Sequence, residues 1–235
     1  MLFRSDYPDE VRFEIPERDA TGYRRAADFL TLSHADLLCV QHEFGIFGGP
    51  SGAHLLTLLR RLRQPVVTTL HTVLQEPNDD QRRVMADLVR CSDALVVMTE
   101  RGRGLLQSVY GVDPEMINVI PHGIPDLPFV DPNFHKDQFG VAGRPVMLTF
   151  GLISPGKGIE VGIEALPEIV SQHPDLVYMV VGATHPNLVK AEGETYRLSL
   201  ERRAKALGVE NNLIFLNQYV DDQQLSEVIG AADLY

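Results

Sequence analysis

The residues best suited to chemistry in this chain lie in one loop, residues 151–158, which reads G-L-I-S-P-G-K-G. The loop follows an apolar run, residues 146–150, that we predict to be a buried strand, and a helix is predicted to begin after it. A helix N-terminus attracts anions, glycines let the backbone approach them, and lysine adds a compact positive charge. Because the chain has a formal net charge of -11, an anion site has to be built locally. The residues predicted to form this phosphate site are Gly151, Gly156, Lys157 and Gly158.

Two alternatives for this loop remain open. The spacing G-x-x-x-x-G-K is that of the Walker A loop in P-loop nucleotidases, but Gly158 lacks the hydroxyl that holds Mg²⁺ in such loops. The nucleotidase is therefore a remote alternative. The other is an ordinary glycine-rich turn with a solvated lysine, because such turns are common in parallel sheets.

Polar residues also follow other predicted strands. His71 ends the apolar run at residues 65–70, and His42 and Glu43 follow the run at residues 36–41. Ligands of open α/β sheets bind at the carboxyl ends of the strands, so we expect these side chains to face a substrate. The alternative for each is a structural, hydrogen-bonded role. Further candidates in loops after predicted strands are Gly48, Gly49, His122, Gly182 and Asn217.

The composition is that of an ordinary globular protein, with 44% hydrophobic and 23% charged residues. The excess of acidic residues argues against a nucleic-acid binder. No apolar run is long enough to span a bilayer and no signal peptide is visible, so we expect a cytoplasmic protein whose two cysteines are free thiols. Arginine clusters at residues 60–63 and 202–203 are interpreted as solvated faces, with peripheral membrane contact as the alternative. No spacing of cysteine and histidine indicates a zinc site, and no strand-end Asp-x-Asp indicates another metal.

Strand and helix patterns alternate almost throughout the chain, and continuous apolar strands predict sheets covered by helices on both faces. A segment rich in proline and glycine interrupts the alternation. We therefore predict an α/β protein of two Rossmann-like, doubly wound parallel-sheet domains, at residues 1–122 and 145–235, joined by a linker at residues 123–144. Both ends interrupt the pattern, so we expect both domains to be incomplete, although a small protein with irregular ends is an alternative. The predicted strands are residues 36–41, 65–70, 93–98, 117–120, 146–150, 176–181 and 213–216, and the predicted helices are residues 51–62, 79–90, 100–110, 159–171, 194–207 and 223–230.

Seven short motifs occur in an order and spacing that are typical of one enzyme family. They are V-Q-H-E-F-G-I-F-G-G at residues 40–49, T-L-H-T at 69–72, I-P-H-G-I at 120–124, G-L-I-S-P-G-K-G-I-E at 151–160, V-V-G-A at 180–183, L-I-F-L-N at 213–217 and A-A-D-L-Y at 231–235. Together they resemble the retaining glycosyltransferases of family four, from about Tyr7 to the end of the chain. The resemblance implies a GT-B fold.

The resemblance also implies roles for the candidate residues. Lys157 would stabilise the diphosphate of a sugar-nucleotide donor, and His71 would contact the transferred sugar or a phosphate. The second domain would bind the donor and the first domain the acceptor. Expected donor-binding residues are Gly151, Gly156, Lys157, Gly158, Gly182 and Asn217. Expected acceptor-side residues are His42, Glu43, Gly48, Gly49 and His122, the last of which has a hinge role as its alternative.

Two departures from the family pattern stand out. The family's phosphate loop normally has arginine at the position of Leu152, and an apolar residue cannot make that bidentate phosphate contact. The family's pair of glutamates, which holds the donor, would lie beyond Tyr235, and the N-terminal glycine-rich acceptor loop is missing. The parent protein therefore resembles an enzyme, whereas the activity of this segment alone is left open.

The resulting hypothesis is a glycosyltransferase that moves a sugar from a nucleotide-diphosphate sugar to an acceptor hydroxyl with retention of configuration. The resemblance implies GDP-mannose or UDP-glucose as donor, a carbohydrate, lipid-linked or small-molecule acceptor, and no required metal or other cofactor. Three alternatives remain: another GT-B enzyme such as an epimerase or phosphorylase, a non-catalytic sugar-nucleotide-binding module, and the P-loop nucleotidase.

Overall fold

The computed structural model describes residues 10–124, 126 and 130–235. The first residues of the predicted first domain and part of the predicted linker lie outside the described residues. The chain divides into two compact units, Met1–Pro125 and Asp126–Tyr235, and this division falls within the predicted linker. Among the described residues, no helix combines the length and the apolar character that crossing a bilayer requires.

The first unit contains a parallel sheet of four strands in the order β1-β2-β3-β4. Leucines and valines of the strands and helices form one buried cluster. Along the chain its elements are α1 (Ala20–Leu32), β1 (Leu38–His42), α2 (His54–Leu59), β2 (Val66–Leu70), α3 (Asp79–Arg90), β3 (Ala94–Val97), α4 (Glu100–Tyr110) and β4 (Ile117–Val119).

The second unit contains a parallel sheet of three strands in the order β5-β6-β7. On the side of β5 that faces away from β6, Met147 forms an isolated parallel bridge with Leu234. The elements of this unit are α5 (Pro132–Lys136), β5 (Val146–Phe150), α6 (Ile159–Gln172), β6 (Val177–Val181), α7 (Pro186–Glu192), α8 (Thr195–Ala206), β7 (Leu213–Leu216) and α9 (Asp222–Gly230).

Strand β6 shows why the second unit is doubly wound. All five of its residues are buried, and successive side chains point to opposite faces of the sheet. Tyr178 and Val180 pack into one hydrophobic cluster with α6 and α8, whereas Met179 and Val181 pack into another with α9. Since each face has its own core, a continuous apolar strand is required here. The predicted fold class, two α/β units with parallel sheets, is confirmed.

Several elements differ from their predicted form. The helix predicted at residues 51–62 is shorter, because Ser51 and Gly52 have positive φ angles of 51° and 80° and α2 begins only at His54. Helix α1 was not predicted, although Asp19 accepts a hydrogen bond at its start and Tyr23, Ala26 and Ala27 are buried at helical spacing. Helix α7 was also not predicted. Helix α5 lies inside the predicted linker and packs against α9, so that segment is not irregular throughout.

Candidate functional site

The predicted phosphate loop begins where β5 and β6 end side by side. The Gly151 N–H donates to Val181 O at 2.9 Å, and the Gly182 N–H donates to Leu216 O at 2.9 Å. A Cβ atom placed on Gly182 would lie 2.1 Å from Gly151 O, and Gly182 has a φ of 139°, so only glycine fits there without displacing the loop. The close contact between the two strand ends is therefore made by glycine backbone.

The side chain of Lys157 lies over the backbone of Gly151. A Cβ atom placed on Gly151 would lie 3.1 Å from Lys157 Nζ and 3.3 Å from Lys157 Cε. Lys157 is exposed, and no carboxylate of the described residues forms an ion pair with it. Its positive charge is consequently available to an anion at the ends of β5 and β6.

Helix α6 begins directly after this lysine, with Gly158 at its N-cap position in a left-handed conformation (φ 64°). The Glu160 carboxylate, in the first turn, accepts hydrogen bonds from its own N–H and from the Tyr196 hydroxyl, and Gly158 has no side chain to cap the other first N–H groups of α6. These groups and the helix dipole favour negative charge at that end of the helix. Gly156 precedes Lys157 and is exposed, and a Cβ atom placed on Gly156 would meet only Ser154 Oγ, at 4.0 Å.

A cavity of about 190 Å³ lies beside this loop, at the carboxyl ends of β5 and β6. Gly182 lines it, as does Gly151, the residue over which the Lys157 side chain lies. The exposed Tyr219 lies on the loop after β7 and lines the cavity, whereas the predicted Asn217 is exposed and does not. Leu152, which stands where the family pattern has arginine, also lines it and gives it no charge. The remaining lining residues are Phe150, Val181, Ala183, Gln218, Val220, Asp222 and Leu225.

In the first unit, hydrogen bonds link the candidate residues at the ends of β1 and β2. The His71 N–H donates to His42 O at 3.1 Å, and His71 Nε2 donates to Gln41 Oε1 at 2.7 Å. The Thr72 hydroxyl donates to Glu43 Oε1. Gln41 and Thr72 were not among the predicted site residues, although each is a sequence neighbour of one. The bond to Gln41 orients the exposed His71 ring.

His42 is fully buried, with 0% of its surface exposed, and packs against the rings of Phe44 and Phe47. Neither ring nitrogen has a hydrogen-bond partner among the described residues. Burial lowers the pKa of His42 to about 4; Glu43 opposes this shift and His71 adds to it. His42 is therefore neutral near pH 7. Its contact with an acceptor remains a prediction, and in this arrangement it has no exposed surface for one.

The glycines after Glu43 are held by packing. The Gly48 N–H donates to the Tyr23 hydroxyl at 3.0 Å, and a Cβ atom on Gly48 would lie 1.8 Å from the carbonyl oxygen of Glu17. Gly49 lies against the ring of His54. These contacts explain why glycine is needed at both positions for packing. An acceptor-binding role for the two glycines remains a prediction.

A second cavity, of about 310 Å³, lies at the ends of β2 and β3 in the first unit. His71 and His122 line it with their ring centroids 6.2 Å apart, and Arg101 lines it from the first turn of α4. Arg101 was not predicted, and the sequence offers no signal for it beyond its place shortly after a strand. Within the described ranges, no group of three or more His, Cys, Asp or Glu side chains is placed to hold a metal ion.

Comparison with known families matches both units of the chain. The family model described as Glycosyltransferase Family 4 matches residues 5–126, and the model described as Glycosyl transferases group 1 matches residues 131–235. The chain belongs to glycosyltransferase family 4. In this family 4 chain, the first model covers the motifs at residues 40–49, 69–72 and 120–124, and the second covers those at 151–160, 180–183, 213–217 and 231–235.

Individual relatives and structures agree with this assignment. The family 4 chain is 29% identical over 189 residues to the D-inositol 3-phosphate glycosyltransferase of Segniliparus rotundus, covering 74% of this chain and 40% of that protein. It is 26% identical over 127 residues to the GDP-mannose-dependent alpha-(1-6)-phosphatidylinositol monomannoside mannosyltransferase of Mycolicibacterium smegmatis, covering 53% and 31%. Its fold is similar to that of Anabaena HepE in complex with UDP and glucose, with a TM-score of 0.70 and 21% identity, covering 91% and 55%. The chain spans roughly half the length of these proteins or less.

Proposed function

We propose that this chain is part of a glycosyltransferase that moves a sugar from a nucleotide-diphosphate sugar to an acceptor hydroxyl with retention of configuration. One observation carries the proposal: Lys157, which forms no ion pair among the described residues, lies over Gly151, at the glycine contact between β5 and β6 and beside a cavity. A diphosphate needs close backbone approach and positive charge, and this loop offers both. The second unit accordingly binds the donor, and the first unit binds the acceptor.

Lys157 contributes most when the sugar leaves. Negative charge grows on the departing diphosphate, and a positive charge placed there in advance lowers the energy of the transition state more than that of the bound donor. The N–H groups at the start of α6 act on the same charge. Since Leu152 supplies no cation, Lys157 and this helix end carry the diphosphate of the proposed site.

The proposed donor-binding surface extends from the loop into the cavity lined by Gly182 and Tyr219. The nucleoside occupies this cavity, because its walls combine apolar side chains with a few polar groups, as ligand sites commonly do. UDP is bound by HepE, and GDP-mannose is the donor in the name of the Mycolicibacterium smegmatis relative, so both bases are candidates. We propose that no metal is required.

The acceptor binds at the ends of β1 and β2, where His71 is exposed and fixed by Gln41. With Nε2 donating to Gln41, a neutral His71 keeps Nδ1 free to accept a proton or a hydrogen bond from a hydroxyl. The relatives act, by their names, on an inositol phosphate and on a phosphatidylinositol mannoside. A polyol or sugar acceptor, lipid-linked or small, is therefore proposed.

Titration with nucleotides tests this proposal on the chain itself. UDP and GDP, each added with EDTA, are compared with ATP and Mg²⁺ by calorimetry and by melting temperature, since a ligand that binds the native state raises the latter. We expect UDP or GDP to bind without metal. Binding of ATP with Mg²⁺ alone would instead favour the P-loop nucleotidase.

Product analysis separates the transferase from other enzymes with the same fold. A form extended to the length of the relatives is supplied with a labelled sugar nucleotide and a panel of polyol acceptors. A free nucleoside diphosphate together with a labelled glycoside is expected. An isomerised sugar nucleotide, or a free sugar without glycoside, would contradict transfer, and binding without any turnover would favour a non-catalytic module.

A further inference from the structure

We propose that the first unit binds a phosphate ester through Arg101, in the cavity of about 310 Å³ that His71 and His122 also line. The phosphate belongs to the acceptor, which makes the acceptor a phosphorylated polyol or sugar. The acceptor assignment rests on the proposed function, but the anion site itself is testable without it.

The cavity has the size and place for such a group. Its walls come from the ends of β2 and β3, at Leu70 and Val97, and from the start of α4. At about 30 Å³ for each water molecule of the liquid, it has room for a phosphate and the carbon atoms next to its ester oxygen. The exposed His71 forms part of the same wall, so a phosphate here lies beside the proposed acceptor hydroxyl.

The charge of the cavity wall is opposite to that of the chain. The sequence has 32 acidic and 21 basic residues, yet among the described residues none that lines this cavity is acidic. Its polar side chains are those of His71, Thr99, Arg101 and His122, and its other lining residues are apolar or glycine. A cavity wall that contains an arginine and no carboxylate of the described residues favours the binding of an anion, although the chain as a whole is acidic.

Arg101 is the residue that can recognise this anion. Its guanidinium makes one long hydrogen bond, from Nη2 to Gln75 Oε1 at 3.4 Å, and it pairs with no carboxylate among the residues the structure describes. Arg103, one position beyond Gly102, is instead bound to Glu100 at 2.6 Å. The guanidinium of Arg101 therefore keeps most of its N–H donors available, and their planar fork matches phosphate oxygens.

Inorganic phosphate is the probe for the first experiment. It is titrated into the 235-residue chain at low ionic strength, and binding is followed by the NMR shifts of the Gly102 and Leu105 amides. We expect saturable shifts, a dissociation constant at least tenfold higher in Arg101→Gln, and no measurable binding at this site in Arg101→Glu. Arg103→Gln is the matched control, since it removes an arginine of the same helix that does not line the cavity; its constant should stay within twofold of wild type.

Equal weakening in Arg101→Gln and Arg103→Gln would overturn the proposal, because it would reduce the effect to overall charge. So would phosphate binding that disappears only in Lys157→Gln, which would place the anion at the donor loop. Melting temperatures within a few degrees of wild type confirm that the variants are folded. Normal phosphate binding without any binding of UDP or GDP would contradict the proposed function and leave the anion site standing.

Vesicles distinguish the two sources of the phosphate. The chain and both arginine variants are sedimented with vesicles of phosphatidylglycerol and, separately, of phosphatidylcholine. Sedimentation with phosphatidylglycerol that depends on Arg101 and not on Arg103 assigns the phosphate to a lipid headgroup. Binding of inorganic phosphate that depends on Arg101, without sedimentation, assigns it to a soluble ester. Dependence on Arg101 in neither assay overturns the proposal.

Discussion

Gly182 packs directly on the backbone of Gly151, so closely that a Cβ atom on Gly182 would lie 2.1 Å from the Gly151 carbonyl oxygen. This contact places the end of β6 against the start of the loop at residues 151–158, which contains Lys157. Neighbouring hydrogen bonds extend it, from the Ile153 N–H to Ala183 O and from the His185 N–H to Ile153 O. The loop at residues 151–158 is thus supported by the adjacent strand end and not by its own residues alone.

The first prediction concerns this glycine contact. Gly182→Ala forces the added methyl group against Gly151 and strains a residue with φ of 139°, so we expect the free energy of unfolding to fall by about 1–3 kcal/mol. We also expect the affinity for UDP or GDP to fall at least tenfold, because the loop has to move. Denaturant unfolding and calorimetry measure the two effects.

Gly104→Ala is the control, since a Cβ atom on Gly104, in α4 of the first unit, meets no atom of the described residues outside its own helix within 4 Å and Gly104 is not among the predicted donor-binding residues. The free energy of unfolding of this variant should not fall below that of wild type. Its affinity for UDP or GDP should stay within about twofold of the wild-type value. If both alanine variants behave alike, the contact between Gly182 and Gly151 has no special role in forming the loop.

The second prediction concerns His42 and pH. Its folded pKa of about 4 lies below the ordinary value of 6.5, so below pH 6.5 the unfolded chain takes up a proton that the folded chain does not. The free energy of unfolding of the wild-type chain is therefore highest above pH 6.5 with respect to His42, and the protonation of His42 in the unfolded state lowers it by roughly 3 kcal/mol in all as the pH falls towards 4. His42→Leu should remove this part of the pH dependence.

The measurement is the difference in unfolding free energy between His42→Leu and wild type at pH 7.5, 5.5 and 4.5. The difference cancels the titration of the other histidines, which both proteins share. We expect the free energy of unfolding of the variant to rise relative to that of wild type as the pH falls. At pH 7.5 the variant should be at least as stable as wild type, because both buried ring nitrogens of His42 lack hydrogen-bond partners among the described residues. If the free energies of unfolding of the variant and wild type depend on pH in the same way, the lowered pKa of the buried His42 is refuted.

The third prediction concerns Lys136, which ties α5 to the sheet of the second unit. Its side chain is 4% exposed, and Nζ donates to Arg144 O at 2.8 Å and to Asp233 Oδ2 at 2.7 Å. Lys136→Ala leaves both acceptors without this donor and opens a space. We therefore expect the free energy of unfolding of this unit to fall by about 2–4 kcal/mol, measured in urea.

Lys190→Ala is the control for Lys136→Ala, since Lys190 is exposed on α7 and should be replaceable at little cost. Nucleotide affinity should be nearly unchanged in Lys136→Ala at temperatures where the variant is folded, because Lys136 does not line the cavity beside the loop. A fall in stability equal to that of Lys190→Ala would show that the buried lysine does not anchor α5.

Elements with strong local signals could be predicted from the sequence. Helix α3 begins at its predicted residue because Asn78 and Gln81 form a capping box, and α4 lies between the cap Thr99 and the left-handed Gly111. Helix α1 was missed because two of its buried residues are alanines, Ala26 and Ala27, whose apolar pattern is weak.

The candidate site could be predicted only in part. Strand-end positions such as His71 and Lys157 follow from the alternation of strands and helices, because parallel strands place their carboxyl ends at one edge. The contact between Gly182 and Gly151 and the position of Arg101 depend on strand register and on how α4 packs. Local patterns do not encode these, and the burial of His42 likewise emerges only from tertiary packing.

The most direct test of the central claim compares Lys157→Ala with Lys190→Ala, two lysines of the same unit, for binding of UDP and GDP to the chain by calorimetry with EDTA. If Lys157 holds the donor's diphosphate, its variant should bind the preferred nucleotide at least tenfold more weakly, whereas Lys190→Ala should bind as wild type does. In the extended form, transfer should fall by about 10²–10³-fold in Lys157→Ala. Equal affinities in the two variants, or normal transfer without Lys157, would contradict the account.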